Sequence, residues 1–192
     1  MGDVEGKKMK ILCLHGFRTS GKFLKKQISK WDSSIFAHFD MDFPDGIHPA
    51  GGKSDIEGIF PGPYFEWFQF NKGKILKDQP KMKLYVSISG SKFREPSICE
   101  VAYKEPIKVK SIHFIGEKDW LKLPSEELAT AFENPLIISH PQGHTVPRLD
   151  EDAVQKLKNW TEEIFLLFQS KSTTTSEDAE LGETKNEQEF KN

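Results

Sequence analysis

The stretch Met9-Lys10-Ile11-Leu12-Cys13-Leu14-His15-Gly16-Phe17 decides how the rest of the chain is interpreted. A short apolar run that stops at a glycine is typical of a buried strand that opens a parallel α/β sheet. A helix is predicted next, because Ser20 can cap it and apolar residues recur at helical spacing from Phe23 to Trp31. Ile35–Phe43 is predicted to be a second strand, ended by the turn signal Pro44-Asp45-Gly46. The predicted order is therefore β-α-β.

The same alternation continues along the chain. Further strands are predicted over Lys83–Ser89, Val109–Ile115 and Pro135–His140, and further helices from Pro96, over Leu123–Phe132 and over Asp150–Phe168. Residues 44–71 are rich in Gly, Pro and aromatics and show neither helical nor strand periodicity. This favours a packed excursion over the carboxyl edge of the sheet. This order predicts an α/β domain with a mostly parallel sheet over residues 1–168. The polar, acidic residues 169–192 are predicted to be a disordered tail.

Composition narrows the class of partner. The 192 residues carry 27 Lys and Arg against 29 Asp and Glu, a net charge of −2. The chain therefore lacks the positive electrostatic potential that would attract nucleic acid or an anionic membrane. No apolar run approaches a membrane span, and the N-terminus lacks a signal-peptide core. Cys13 and Cys99 lie in apolar surroundings without metal-type spacing, which indicates reduced thiols. We expect a cytoplasmic or nuclear protein whose partner is a small molecule or a protein.

Three loops at predicted strand ends carry residues suited to chemistry. The N–H groups of Gly16 and Phe17 could face a developing oxyanion, although an ordinary turn between a strand and a helix has the same pattern. Asp119 could orient a histidine, or only cap the next helix. His144 follows the next strand, so a parallel sheet would bring it to Asp119; alone it would be a surface histidine.

Four segments together resemble the FSH-type serine hydrolases, an α/β-hydrolase family. They are Leu12–Phe17, the aromatic run Phe65-Glu66-Trp67-Phe68, Ile115–Asp119 and His140-Pro141-Gln142-Gly143-His144-Thr145-Val146-Pro147-Arg148. The resemblance covers about residues 9–165 in the family's order, and the histidine segment is its most specific part.

The resemblance implies a three-layer α/β-hydrolase-like sandwich and cleavage of small acyl esters by a Ser-Asp-His triad, without a cofactor. Asp119 would orient His144, and His144 would act as general base and acid. Backbone N–H groups of Gly16 and Phe17 would form the oxyanion hole. The region of Trp67 and Phe68 would line the acyl pocket.

The nucleophile that this chemistry needs is missing from the sequence. A Gly-x-Ser-x-Gly elbow holds the serine on a tight strand-to-helix turn, and no such motif occurs. Where the family has an elbow-bearing β-α unit, Asn71–Lys74 runs through Ile75–Pro80 into the strand that begins at Lys83. The fold is therefore predicted to lack one central β-α unit. The Lys83 strand then either pairs directly with the Met9 strand or leaves an exposed apolar edge.

One serine offers a substitute. Ser87-Ile88-Ser89-Gly90-Ser91 reads small-x-Ser-x-small at a strand end, so Ser89 could approach His144 if its strand moved into the vacant position. Against this, Ser87 and Ser91 carry Cβ atoms that a tight turn disfavours, so an ordinary strand end is the favoured interpretation. The chain is predicted to be non-catalytic as written. The alternatives are a binding or vestigial form with a retained acyl pocket, or a chain that does not fold stably.

Two other kinds of site are disfavoured. Gly52-Lys53-Ser54 hints at a phosphate loop, but Ile47 stands where its first glycine belongs and no helix pattern follows. The histidines lack ligand-like spacing to cysteines or carboxylates, so no metal site is predicted.

Overall fold

A computed structural model of the chain describes residues 8–67 and 82–186, with side chains described up to residue 170. Seven strands and four helices are found there. The strands are β1 (Met9–Leu12), β2 (Phe39–Asp42), β3 (His48–Pro49), β4 (Phe65–Glu66), β5 (Leu84–Ile88), β6 (Lys110–Gly116) and β7 (Leu136–His140). The helices are α1 (Gly21–Ile28), α2 (Pro96–Ala102), α3 (Lys122–Ala129) and α4 (Glu151–Asn186).

The strands form three separate groups in the described part of the chain. β1 pairs with β2 in parallel, and β5, β6 and β7 form a parallel three-stranded sheet in that order. β3 and β4 form a short antiparallel pair within the predicted excursion. No ladder joins β1 to β5 among these residues. Of the two sequence-based alternatives, direct pairing is therefore wrong, and apolar side chains near the end of β1 are exposed: Leu12 is 62% and Leu14 55% accessible.

β6 is the centre of the packing because it is buried on both faces. Its side chains alternate: Ile112 and Phe114 belong to a core cluster shared with Leu157 and Trp160 of α4, whereas His113 points to the opposite side, against Phe132. The core cluster also contains Met9 of β1 and Phe39 of β2. Helix α4 therefore packs against both parallel sheets and holds them together. The predicted α/β architecture with a mostly parallel sheet is confirmed.

Local signals explain the first helix and correct the second predicted strand. The Ser20 hydroxyl accepts the N–H of Phe23 at 3.2 Å, which caps α1 as predicted. The strand predicted over Ile35–Phe43 is shorter: Ser33–Phe36 forms a 3₁₀ turn, and only Phe39–Asp42 is strand. The Asp32 carboxylate starts this turn by accepting the Ser34 N–H at 2.9 Å and its hydroxyl at 2.7 Å. Such side-chain bonds compete with a strand ladder.

The last helix is longer than predicted. Asp150 caps it by accepting the Ala153 N–H at 2.8 Å, which matches the predicted start. The predicted end of the helix at Phe168 is wrong, since α4 continues to Asn186. The division into a domain over residues 1–168 and a disordered tail over residues 169–192 stays a prediction. No proline follows Pro147, so the sequence contains no strong helix breaker after Asp150. None of the described helices combines the length and apolarity that crossing a membrane requires.

Candidate active site

An acid and a histidine meet at the carboxyl ends of β6 and β7. The Nδ1 atom of His144 lies 3.2 Å from each carboxylate oxygen of Asp119. Both oxygens are acceptors, so Nδ1 carries the proton and donates, which leaves Nε2 without a partner in the described residues. The Asp119 side chain is 1% exposed and that of His144 46%. The arrangement is a buried acid holding the tautomer of a half-exposed imidazole, as a hydrolase triad requires.

The environment keeps Asp119 ionised. Burial alone would raise the pKa of Asp119, but the Ser89 hydroxyl, the Leu121 N–H and His144 together lower it below its usual value. The Leu121 N–H donates to Asp119 Oδ1 at 2.8 Å. The ionised carboxylate therefore has a backbone donor besides the histidine, which fixes its orientation.

The loop carrying His144 is tied directly to the loop carrying Asp119. The Glu117 N–H donates to the His140 carbonyl at 2.8 Å, and the Lys118 N–H donates to the Gln142 carbonyl at 3.2 Å. Gly116 is required for this approach, because a Cβ there would lie 2.7 Å from the Gln142 carbonyl oxygen. The predicted acid and histidine are therefore close together because they follow adjacent parallel strands. Their catalytic roles stay predictions.

The loop after β1 is held in one conformation by His15. The Gly46 N–H donates to His15 Nε2 at 2.9 Å, so the proton of the neutral ring sits on Nδ1, which faces the Gly16 carbonyl at 2.8 Å. The N–H groups of Gly16 and Phe17 make no hydrogen bond within the described part of the chain. Both N–H groups are therefore free to donate to a ligand, and their role as an oxyanion hole stays a prediction.

The excursion locks the same loop from the other side. Arg18, with φ of 51°, donates from Nε to the buried Glu66 carboxylate at 2.7 Å. Trp67 donates from Nε1 to the His15 carbonyl at 2.8 Å, and its ring packs on the His15 ring. Trp67, predicted to line an acyl pocket, thus supports the loop that carries Gly16 and Phe17. Phe68, the other predicted pocket residue, lies outside the described residues, as does the junction from residue 71 to 81.

Ser89, the substitute nucleophile, lies one residue past β5. Its residue is 8% exposed and its φ is 54°. In the described structure no hydrogen bond joins Ser89 to His144, and the β5 strand has not moved next to β1. The Ser89 hydroxyl is buried and has no hydrogen-bond partner in the described structure. Ser89 is therefore not arranged as the third member of a triad.

Sequence reasoning missed three features of the site. The Arg18–Glu66 ion pair and the His15–Gly46 bond join segments that are far apart in the chain, and no local pattern signals them. His140 is 4% exposed, and neither ring nitrogen has a partner among the described residues. Burial lowers the pKa of His140, so the ring is held neutral. Over the same residues, no group of three or more His, Cys, Asp or Glu side chains is placed to hold a metal ion.

The parallel sheet, with an acid and a histidine after consecutive strands and free N–H groups after β1, defines an α/β-hydrolase type of protein. A family model described as "Serine hydrolase (FSH1)" matches residues 4–75 and 69–156. The chain belongs to the FSH1 serine hydrolase family.

Several curated relatives have similar sequences. Esterase AAEL000016 of Aedes aegypti is 25% identical over 194 positions, covering 73% of this chain and 70% of its own. Esterase AGAP003155 of Anopheles gambiae is 23% identical, covering 73% of this chain and 72% of its own. Esterase OVCA2 of Xenopus tropicalis is 45% identical over 60 residues, which is 30% of this chain and 25% of that protein.

Proposed function

We propose that this chain is a non-catalytic member of its family, a binding or vestigial form that keeps the acid, the histidine and the oxyanion loop of a small-ester hydrolase but has no nucleophile. One observation carries the proposal. His144 is oriented by Asp119, yet its Nε2 faces no serine hydroxyl among the described residues. A general base without a nucleophile to deprotonate cannot start acyl transfer.

The chemistry of the complete site explains what is lost. In a working triad, His144 would take the serine proton through Nε2 while the serine oxygen attacks the ester carbonyl. Gly16 and Phe17 would stabilise the oxyanion that forms, and His144 would then protonate the departing alcohol. Without the serine no acyl-enzyme forms, and the rate falls by a factor on the order of 10⁶.

The comparisons support a missing block rather than a single substitution. The alignment with the Aedes relative spans 194 positions but takes in 73% of this chain, about 140 of its 192 residues. About 50 positions are therefore gaps in this chain. The family model also matches in two stretches that meet at residues 69–75, next to the junction where the sequence lacks an elbow.

The arrangement of strands gives independent support. β1 and β2 form one parallel pair, and β5, β6 and β7 form another sheet, with no ladder between the two in the described part. In the described part, one edge of β1 and one edge of β5 are unpaired, and a further parallel strand from the missing unit could pair with them. That strand would end at the same edge as Phe17 and Asp119, where a nucleophile is needed.

Hydrolysis of short p-nitrophenyl esters tests the proposal. The purified chain is compared with His144→Ala at equal concentration, and a fluorophosphonate probe is applied to both. We expect no turnover above the His144→Ala control and no covalent labelling. Turnover that depends on His144 would refute the proposal. Labelling abolished by Ser89→Ala would instead identify Ser89 as the nucleophile.

A second measurement addresses folding and location. A single cooperative thermal transition is expected, and its absence would favour a chain that does not fold stably.

Cys13 and Cys99 are both free thiols, which supports a reducing compartment, the cytoplasm or nucleus. Burial and the charge of Asp42 raise the pKa of Cys13 to about 11, so its thiol stays protonated and unreactive. Imaging of a tagged full chain in cells checks the location.

A further inference from the structure

An exposed tryptophan lies beside the histidine of the candidate site. The ring centroids of Trp120 and His144 are 5.2 Å apart, and the two ring planes are inclined by 35°. Trp120 is 73% exposed in the described structure, and the side chain of His144 is 46% exposed. The indole therefore contacts the imidazole and still leaves most of its surface open to solvent.

Trp120 is fixed in place although it is exposed. The Asp119 carboxylate accepts the Leu121 N–H at 2.8 Å, and the Asp119 carbonyl accepts the Lys122 N–H at 3.0 Å. These two bonds close a turn around Trp120, and helix α3 begins directly after this turn. The same carboxylate orients His144, so Asp119 sets the positions of both rings. A surface that is already ordered loses little entropy when it binds a ligand.

The polar atom beside the indole is a hydrogen-bond acceptor. Because Nδ1 of His144 donates to Asp119, the unpartnered Nε2 of the neutral ring carries a lone pair. A hydroxyl group of a ligand can donate to this lone pair. In triad chemistry, Nε2 is also the atom that protonates the departing alcohol. The alcohol part of a ligand is therefore the part that would lie next to Trp120.

The charges around the indole favour a neutral ligand. The segment that contains Trp120 has two carboxylates and two ammonium groups, which sum to zero: Glu117, Lys118, Asp119 and Lys122. Lys122 pairs with Glu117, and Asp119 pairs with His144. No net charge in this segment selects an ion. The indole offers aromatic surface, on which another aromatic ring packs in an offset or tilted arrangement.

We propose that Trp120 and His144 form a binding site for a neutral aromatic alcohol, with the ring of the ligand against the indole and its hydroxyl on Nε2 of His144. The inference rests on the proposed function in taking His144 as the residue that faces the alcohol part of a ligand. It deepens that function by naming the class of alcohol. A chain without a nucleophile binds such a molecule and does not convert it.

NMR titration of the full chain with benzyl alcohol tests the site. The signals followed are the indole N–H of Trp120 and the ring nitrogens of His144. Cyclohexylmethanol is the matched ligand, because it carries the same hydroxymethyl group on a saturated ring of similar size. Trp120→Ala removes the aromatic surface, and Trp120→Phe keeps an aromatic ring. Phe93→Ala is the control variant, because Phe93 is also exposed, at 60%, but lies in the loop between β5 and α2.

We expect saturable shifts of the Trp120 N–H and of His144 Nε2 with benzyl alcohol. Cyclohexylmethanol should bind roughly 2- to 10-fold more weakly, since it cannot form the aromatic pair. Trp120→Ala should weaken binding of benzyl alcohol by a similar factor, whereas Trp120→Phe and Phe93→Ala should keep most of it. Equal affinities for the two alcohols would overturn the proposal, as would wild-type binding by Trp120→Ala or a Nε2 signal that does not move.

The two proposals can fail separately. Ester turnover that requires His144 would refute the non-catalytic assignment, and the aromatic site would stand if benzyl alcohol binding is still weakened by Trp120→Ala. No turnover together with equal binding of benzyl alcohol by the wild type and Trp120→Ala would refute the aromatic site alone.

Discussion

Lowering the pH is expected to destabilise this fold through one buried histidine. His113 lies in the middle of β6, is 2% exposed and packs against the rings of Tyr85 and Phe132. Its Nε2 lies 3.2 Å from the Ser111 hydroxyl. Burial lowers the pKa of His113 to about 4, whereas an unfolded histidine titrates near about 6.5.

The sign and size of the effect follow from linkage. Because the folded-state pKa is the lower one, the unfolded chain takes up the proton first as the pH falls. The contribution of His113 is therefore complete above about pH 6.5 and is lost between about pH 6.5 and pH 4. The full loss is about 3.4 kcal/mol, of which about 2 kcal/mol is reached at pH 5. This is a large share of a typical stability of about 5–15 kcal/mol.

Urea unfolding followed by tryptophan fluorescence at pH 7, 6 and 5 measures this contribution. The control is His113→Gln, which keeps a polar group near Ser111 but cannot become charged. Other histidines and the carboxylates titrate in both proteins, so their effects cancel in the difference. The free energy of unfolding should fall by about 2 kcal/mol more in the wild type than in His113→Gln between pH 7 and 5. Parallel pH dependences in the two proteins would refute the reasoning.

Three further substitutions probe the contacts that hold the site and the two sheets. Arg18→Ala leaves the buried Glu66 carboxylate unpaired and should cost on the order of 3 kcal/mol by urea unfolding. Lys156→Ala, at an exposed helix pair, is the control and should leave the free energy of unfolding almost unchanged. Leu157→Ala removes a 4% exposed side chain from the core shared by both sheets. Calorimetry should show one transition and a free energy of unfolding lower by about 3 kcal/mol. Two transitions would mean that the sheets unfold independently. Ser20→Ala removes the α1 cap and should cost about 1 kcal/mol by urea unfolding, and no change would show that the cap is dispensable.

The regular elements of this fold were predictable from local signals. The apolar run before Gly16 is β1, and the Ser20 cap opens α1 as the sequence predicts. The strand predicted from Ile35 begins later because the Asp32 carboxylate accepts the Ser34 N–H. Periodic sequence patterns do not reveal such a side-chain contact. The predicted end of α4 is wrong for a different reason: the apolar face of the helix ends at Phe168, but the sequence has no proline there to stop the helix, which continues to Asn186.

The candidate site was predictable only where topology constrains it. Asp119 and His144 follow adjacent parallel strands, so the sheet itself brings them within 3.2 Å. The loop after β1 is fixed by bonds from an irregular segment that has no periodic sequence signal: Gly46 bonds to His15, and Arg18 to Glu66. The positive φ of Ser89 is likewise invisible in a sequence where Gly90 is the expected residue for that angle.

The two parts of the candidate site, the Asp119–His144 pair and the loop with Phe17, are positioned by different strands. Asp119 and His144 follow β6 and β7, whereas Phe17 follows β1 and is held by residues 44–67. The core cluster under α4 joins the two groups of strands. A triad must be held to within about 0.5 Å, and such precision comes from adjacent strands in one ladder. In the described part no ladder crosses between β1 and β5. If a β-α unit is missing as proposed, adding a serine to either edge by a point substitution should therefore give no turnover, because that unit would have to supply the spacing between the two parts of the site as well as the nucleophile.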